Sequence, residues 1–153
     1  NGKSLILQAA ALGFSFCGFE EVRYEVKAAP RMVTTFSRNL RADLLRLYEA
    51  VTVREYRFEQ RMMDLAVEYY KAYRALGGGI AHRDIITDFL IVACASLKQV
   101  DVVVSQDSTS MLNAYARKAY DEVNVRQGLA VPKLWAYDNF KAEVAKKARI
   151  GVK

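Results

Sequence analysis

Apolar positions recur at helical spacing over most of this chain, and short β-branched or fully apolar runs interrupt them. "KSLILQAAAL" predicts a helix ended by Gly13, and "FSFCG" a short strand. "FEEVRYEVKAA" returns to helical spacing with Phe19, Val22 and Val26 on one side, and Pro30 marks its end. "TTFSRNLRADLLRLYEA" carries a stripe of Leu40, Leu44, Leu45 and Tyr48. "VTVREY" is β-branched and short, hence a strand. "FEQRMMDLAVEYYKAYRAL" places Met62, Leu65, Ala66, Tyr69 and Tyr73 at helical intervals until "GGG" at 77–79 breaks it. "RDIITDFLIVACASLK" is helical by length and period, and nearly apolar all round after Asp88, which predicts a helix packed deep in the fold. "VDVVVS" reads as a fully buried strand, "TSMLNAYARKAYDEV" as a helix, "LAVPKLW" as a last short strand and "AYDNFKAEVAKKARI" as a C-terminal helix. Strands alternating with helices predict an α/β domain with a mainly parallel sheet.

Composition narrows this little. The chain has 153 residues, 52% apolar and 26% charged, which suits a single globular domain over 1–153. No apolar run is long enough to span a bilayer, no signal-peptide pattern opens the chain, and the expected location is the cytoplasm. Cys17 and Cys94 form no metal-ligand spacing and are expected to be buried free thiols. The net charge of +6 is compatible with a polyanion partner such as RNA or DNA.

The chemistry-bearing pattern is acidic. Asp84 and Asp88 lie one helical turn apart at the head of the apolar helix, and Asp107 follows the next strand. Asp88 to Lys98 is roughly 15 Å of helix, and Asp101 to Gln106 roughly 16 Å of strand. If the strand doubles back beside the helix, Ser105 and Asp107 finish level with Asp88 at the C-terminal edge of a parallel strand. Carboxylates so close repel, and a hard cation such as Mg²⁺ would remove the repulsion. The alternative is that Asp84 caps its helix and Asp107 opens the turn before "STSM".

At these residues the chain resembles PIN-domain proteins. Family members carry an aspartate followed by a small-residue apolar helix, then a buried strand ending in Thr/Ser-x-Asp. Here "DFLIVACAS" and "VVVSQD" match, which aligns Asp88 and Asp107 with family acids and Ser105 with the hydroxyl residue. "VRYEVKA" supplies Glu25 for the family's early glutamate, and "VNVRQGLAVPKLW" resembles the last part of archaeal members. The resemblance implies a three-layer α/β/α sandwich around a parallel sheet. It also implies Mg²⁺- or Mn²⁺-dependent cleavage of RNA and a homodimer. The protein would be the toxin of a toxin–antitoxin pair, with an antitoxin as partner, or an RNA-processing enzyme. One departure stands out. The family's first strand usually ends in an aspartate, whereas no acid precedes Glu20 here. On the family pattern that strand would lie before Asn1, leaving the site one ligand short.

The resulting assignment gives Glu25, Asp84, Asp88 and Asp107 to Mg²⁺ or Mn²⁺, with Ser105 orienting a carboxylate or a water. The metal would activate water against an RNA phosphodiester. Arg23, Lys27 and Arg31, spaced by four, would hold RNA phosphates. Glu21 faces the same way as Glu25 and is its rival. The other basic groups are Arg38, Arg41 and Arg46, then Lys141, Lys146, Lys147 and Arg149, the last read as a solvated face. His82 beside Asp84 starts a helix or touches substrate, and Tyr69, Tyr70 and Tyr73 pack or stack bases. "NGKS" lacks the glycine of a phosphate loop. The alternatives are a catalytically incomplete PIN-like domain that binds RNA or a protein, and an unrelated α/β binding module whose acids are all caps.

Overall fold

The computed structural model describes residues 2–28 and 40–151. The elements run α1 (Gly2–Ala11), β1 (Phe16–Phe19), α2 (Glu20–Ala28), α3 (Leu40–Val51), β2 (Thr52–Tyr56), α4 (Gln60–Ala75), α5 (His82–Leu97), β3 (Val102–Val104), α6 (Ala114–Arg126), β4 (Lys133–Trp135) and α7 (Tyr137–Ile150). Each follows a segment that the hydrophobic period picks out. α6 is expected from Thr109 but starts at Ala114, and the expected start of α3 at Thr34 lies outside the described residues. Asn113 is its N-cap, accepting the Tyr115 backbone N–H at 2.8 Å. Gly77, at φ +106°, closes α4 in the left-handed conformation that residues with a Cβ avoid.

The chain divides into two compact units. The first comprises residues 1–57 and 141–153, the second 58–140. In the first unit, β1 and β2 pair in parallel, with Cys17 opposite Arg54 and Phe19 opposite Tyr56. The chain between these strands includes α2 and α3, which pack on each other. In the second unit, β3 and β4 pair in parallel, Val103 opposite Leu134, with α6 between them in sequence.

This architecture corrects the expected α/β/α sandwich and the PIN-like resemblance with it. Among the described residues the strands form two separate sheets of two, β1–β2 and β3–β4, rather than one central parallel sheet. The physical reason lies in strand length and in what the helices bury. β3 and β4 have three residues each, too short to organise helical layers on both faces. The helices of the second unit bury their apolar stripes on one another instead: α4 packs against both α5 and α6.

The core of the second unit is aromatic. Tyr69, Tyr73, Phe89 and Tyr120 are buried and meet edge to face, with ring centroids 5.0 Å apart for Tyr69–Tyr120 and 5.6 Å for Tyr73–Phe89. A polar triad completes it. The Tyr69 hydroxyl donates to Asn124 Oδ1 at 2.5 Å and lies 3.1 Å from Ser96 Oγ. Asn124 Nδ2 donates to Ser96 Oγ at 2.9 Å and to the Ala130 carbonyl at 3.2 Å. Ser96 in turn donates to the Val92 carbonyl. Burial pushes the Tyr69 hydroxyl up to about 12, against the opposing pull of Ser96 and Asn124. Among the described residues no buried side-chain polar atom lacks a partner. α5 is buried along most of its length, as its all-round apolar sequence predicts. Cys94 is buried, but Cys17 is exposed rather than buried, on a strand of the two-stranded β1–β2 sheet. Among the described residues no helix is long and apolar enough to cross a membrane.

Candidate functional site

α5 and the segment after β3 bring Asp88 and Asp107 to one place, and Ser110 joins them. The buried Ser110 hydroxyl donates to Asp88 Oδ2. The Ser110 backbone N–H donates to Asp107 Oδ1 at 2.9 Å. The same Asp107 oxygen accepts the Thr109 N–H at 3.0 Å and the Thr109 hydroxyl at 2.8 Å. The Asp107 carbonyl accepts the Leu112 N–H at 2.9 Å. Ser105 serves the same turn, since its Oγ accepts the Asp107 N–H at 3.0 Å. Asp107 thus organises the turn over residues 108–112, an Asx arrangement extended by a hydroxyl. The signal in the sequence is Asp107 followed by a hydroxyl residue at each of the next three positions, "DSTS". The metal reading passed over Ser110, the residue that bridges the two acids.

The two carboxylates answer to opposite environments. Burial raises the Asp88 carboxyl above its ordinary range; the Ser110 hydroxyl opposes that, and the charge of Asp107 adds to it. Asp107 is exposed, and hydrogen bonding with Ser110, then with Thr109, holds it down at about 2. One acid is desolvated and the other is strongly hydrogen-bonded through Oδ1.

The remaining assigned ligands do not complete a metal site. Asp84 is solvent-exposed in the first turn of α5, 3.8 Å from the Arg83 guanidinium. Glu25 lies exposed on α2 of the first unit. Among the described residues no group of three or more His, Cys, Asp or Glu side chains is arranged to hold a metal ion. The Mg²⁺ or Mn²⁺ cofactor, the metal-dependent ribonuclease and the toxin assignment are corrected on that ground together with the absent central sheet. Asp107 Oδ1 is committed to the turn, since it already takes three hydrogen bonds. The aromatic candidates divide by burial. Tyr69 and Tyr73 lie in the core, and His82 packs edge-on to Tyr70 with centroids 4.9 Å apart.

The basic residues are unevenly placed. The first unit holds 14 Lys and Arg against 7 Asp and Glu, the second 9 against 10. Of the group assigned to phosphates, Arg31 lies outside the described residues. Arg23 is engaged locally: Nε donates to Glu55 at 2.8 Å and Nη1 to Glu49 at 3.0 Å, with the guanidinium 5.1 Å from the Tyr48 ring centre. Tyr48 donates to Glu55 at 2.6 Å. That hydroxyl, then the Arg23 guanidinium and the charge of Lys27, hold Glu55 below the usual carboxylate range. Burial, then Glu55, pushes the Tyr48 hydroxyl well above its own.

An open cleft of about 500 Å³ lies in the second unit, lined by Leu97, Val100, Asp101, Leu129, Lys133 and Trp135 among others. No protein-family model, curated protein or solved structure compared with the chain matches it.

Proposed function

We propose that this protein binds RNA through the phosphate backbone, using its first unit as the polyanion-binding surface. One observation carries the reading. The net charge of +6 is not spread over the chain: the first unit carries seven more basic than acidic residues, and the second one more acidic than basic. Charge concentrated in this way raises the local density of phosphate and speeds its capture. The helical second unit, with its saturated core, is a rigid body in this reading. We place the protein in the cytoplasm, since Cys17 and Cys94 are both thiols, which suits a reducing compartment.

The test is fluorescence anisotropy with a labelled single-stranded RNA of mixed sequence, titrated at several salt concentrations. The expected result is binding that tolerates changes of sequence and weakens linearly in log–log form as salt rises. Failure to bind RNA at low salt would sink the proposal.

A further inference from the structure

We propose that the exposed face of α7, formed by Lys141, Lys146 and Arg149, is the surface that grips the RNA backbone; this rests on the RNA-binding reading above. Residues of α7 from Lys141 onward belong to the basic first unit. Phe140 and Val144 turn inward and are buried, while Lys141, Ala142, Ala145, Lys146 and Arg149 are exposed. At 100° per residue these five share one arc of the helix, opposite the buried pair. Between the cations stand only alanines, so a phosphate chain can approach the helix closely. From Lys141 to Arg149 the face extends about 12 Å along the axis, enough to span more than one phosphate.

Among the described residues, several other basic side chains of this unit are engaged elsewhere or stand apart. Arg23 is held by Glu49 and Glu55. Arg46 lies 3.6 Å from Asp43, and Lys147 lies over the Phe14 ring at 4.6 Å. Arg54 stands on β2 and Arg57 just past its end, apart from α7. Lys141, Lys146 and Arg149 form the array. RNA is favoured over an anionic membrane because a membrane-lying helix must present an apolar arc beside its cations. Here Phe140 and Val144 are buried, and Ile150 at the helix end is a lone exposed apolar side chain rather than an arc.

The experiment compares two triple variants of the whole chain by the same anisotropy titration. K141Q/K146Q/R149Q removes the α7 array, and R46Q/R54Q/R57Q removes equal charge from the same unit. Each phosphate contact contributes about 0.7 to the salt slope for single strands. The α7 variant is therefore expected to flatten the slope by about two, with the control keeping the parent's slope. The charge-conserving K141R/K146R/R149K should restore the parent's slope, which separates lost contacts from a damaged helix. Equal flattening by both Gln variants, or flattening by the control alone, overturns the α7 assignment while the RNA-binding reading stands. A parent chain that binds no RNA overturns both. A parent that binds vesicles of phosphatidylcholine with phosphatidylserine, but not RNA, overturns the choice of nucleic acid.

Discussion

Asp107 and Asp88 sit in one hydrogen-bonded cluster, yet removing them should change stability in opposite directions. Asp107→Ala deletes the oxygen that takes three donors, two of them backbone N–H groups. Loss of a capping acceptor of this kind costs about 1 kcal/mol, within a range of roughly 0.5–2. For a chain of this size that lowers Tm by about 2–4 °C. Asp88→Asn leaves an acceptor for the Ser110 hydroxyl while removing a half-buried charge beside Asp107, so it should hold or raise Tm at neutral pH. The pH dependence separates the two further. Asp107 is held at about 2 against an ordinary value of 3.8, so its contribution is whole above about 4 and is lost as pH falls towards 2. Asp88 is shifted upward, so its ionised form works against folding at neutral pH, and that penalty is relieved as pH falls through its raised value. The gain from Asp88→Asn should accordingly fade on acidification, whereas the loss from Asp107→Ala should fade only below about pH 4. Thermal melts followed by circular dichroism across this range measure both. An Asp107→Ala chain as stable as its parent at neutral pH, or more so, would refute the capping argument. Carboxylate repulsion would then be the dominant force in the cluster.

Other substitutions probe the rest of the framework. Tyr69→Phe leaves the buried Asn124 Oδ1 without its donor and should cost about 1–3 kcal/mol in urea unfolding; a double variant with Asn124→Leu should lose less than the sum of the singles. Gly78→Ala would put a Cβ 2.2 Å from the Tyr73 ring, displacing the hydroxyl that accepts the Ile80 N–H. Its expected cost is about 1–3 kcal/mol, and an unchanged Tm would show that the loop yields freely. Glu55→Gln should let the Tyr48 hydroxyl ionise at lower pH, read by NMR titration of the labelled tyrosine ring; an unmoved Tyr48 would leave burial as its sole cause.

The elements were legible because each rests on local periodicity. The α5 stripe, the β-branched "VTVREY" and the run "VDVVVS" need no knowledge of partners. Strand pairing is not local, and nothing in a three-residue strand says which neighbour it joins. The alternation of helices and strands therefore suggested one sheet where two stand apart. The convergence of Asp88 and Asp107 was also legible, since helix and strand lengths bring them level. What joins them was not, because a carboxylate pair looks the same on paper whether a cation or a serine lies between. The same limit applied to Arg23: helical spacing showed the cation, while Glu49 and Glu55 reach it from residues 26 and 32 positions away.

The division of the chain has a consequence for biosynthesis. The first unit is discontinuous in sequence, since residues 58–140 intervene between its two parts. On the ribosome the second unit is complete before Lys141 emerges, so its short-range helical contacts can form early. The first unit receives α7 only afterwards, and docking it closes a long loop. A circular permutant that joins residues 141–151 ahead of the first helix would make that unit continuous. Its refolding should be faster than the parent's even where its final stability is the same.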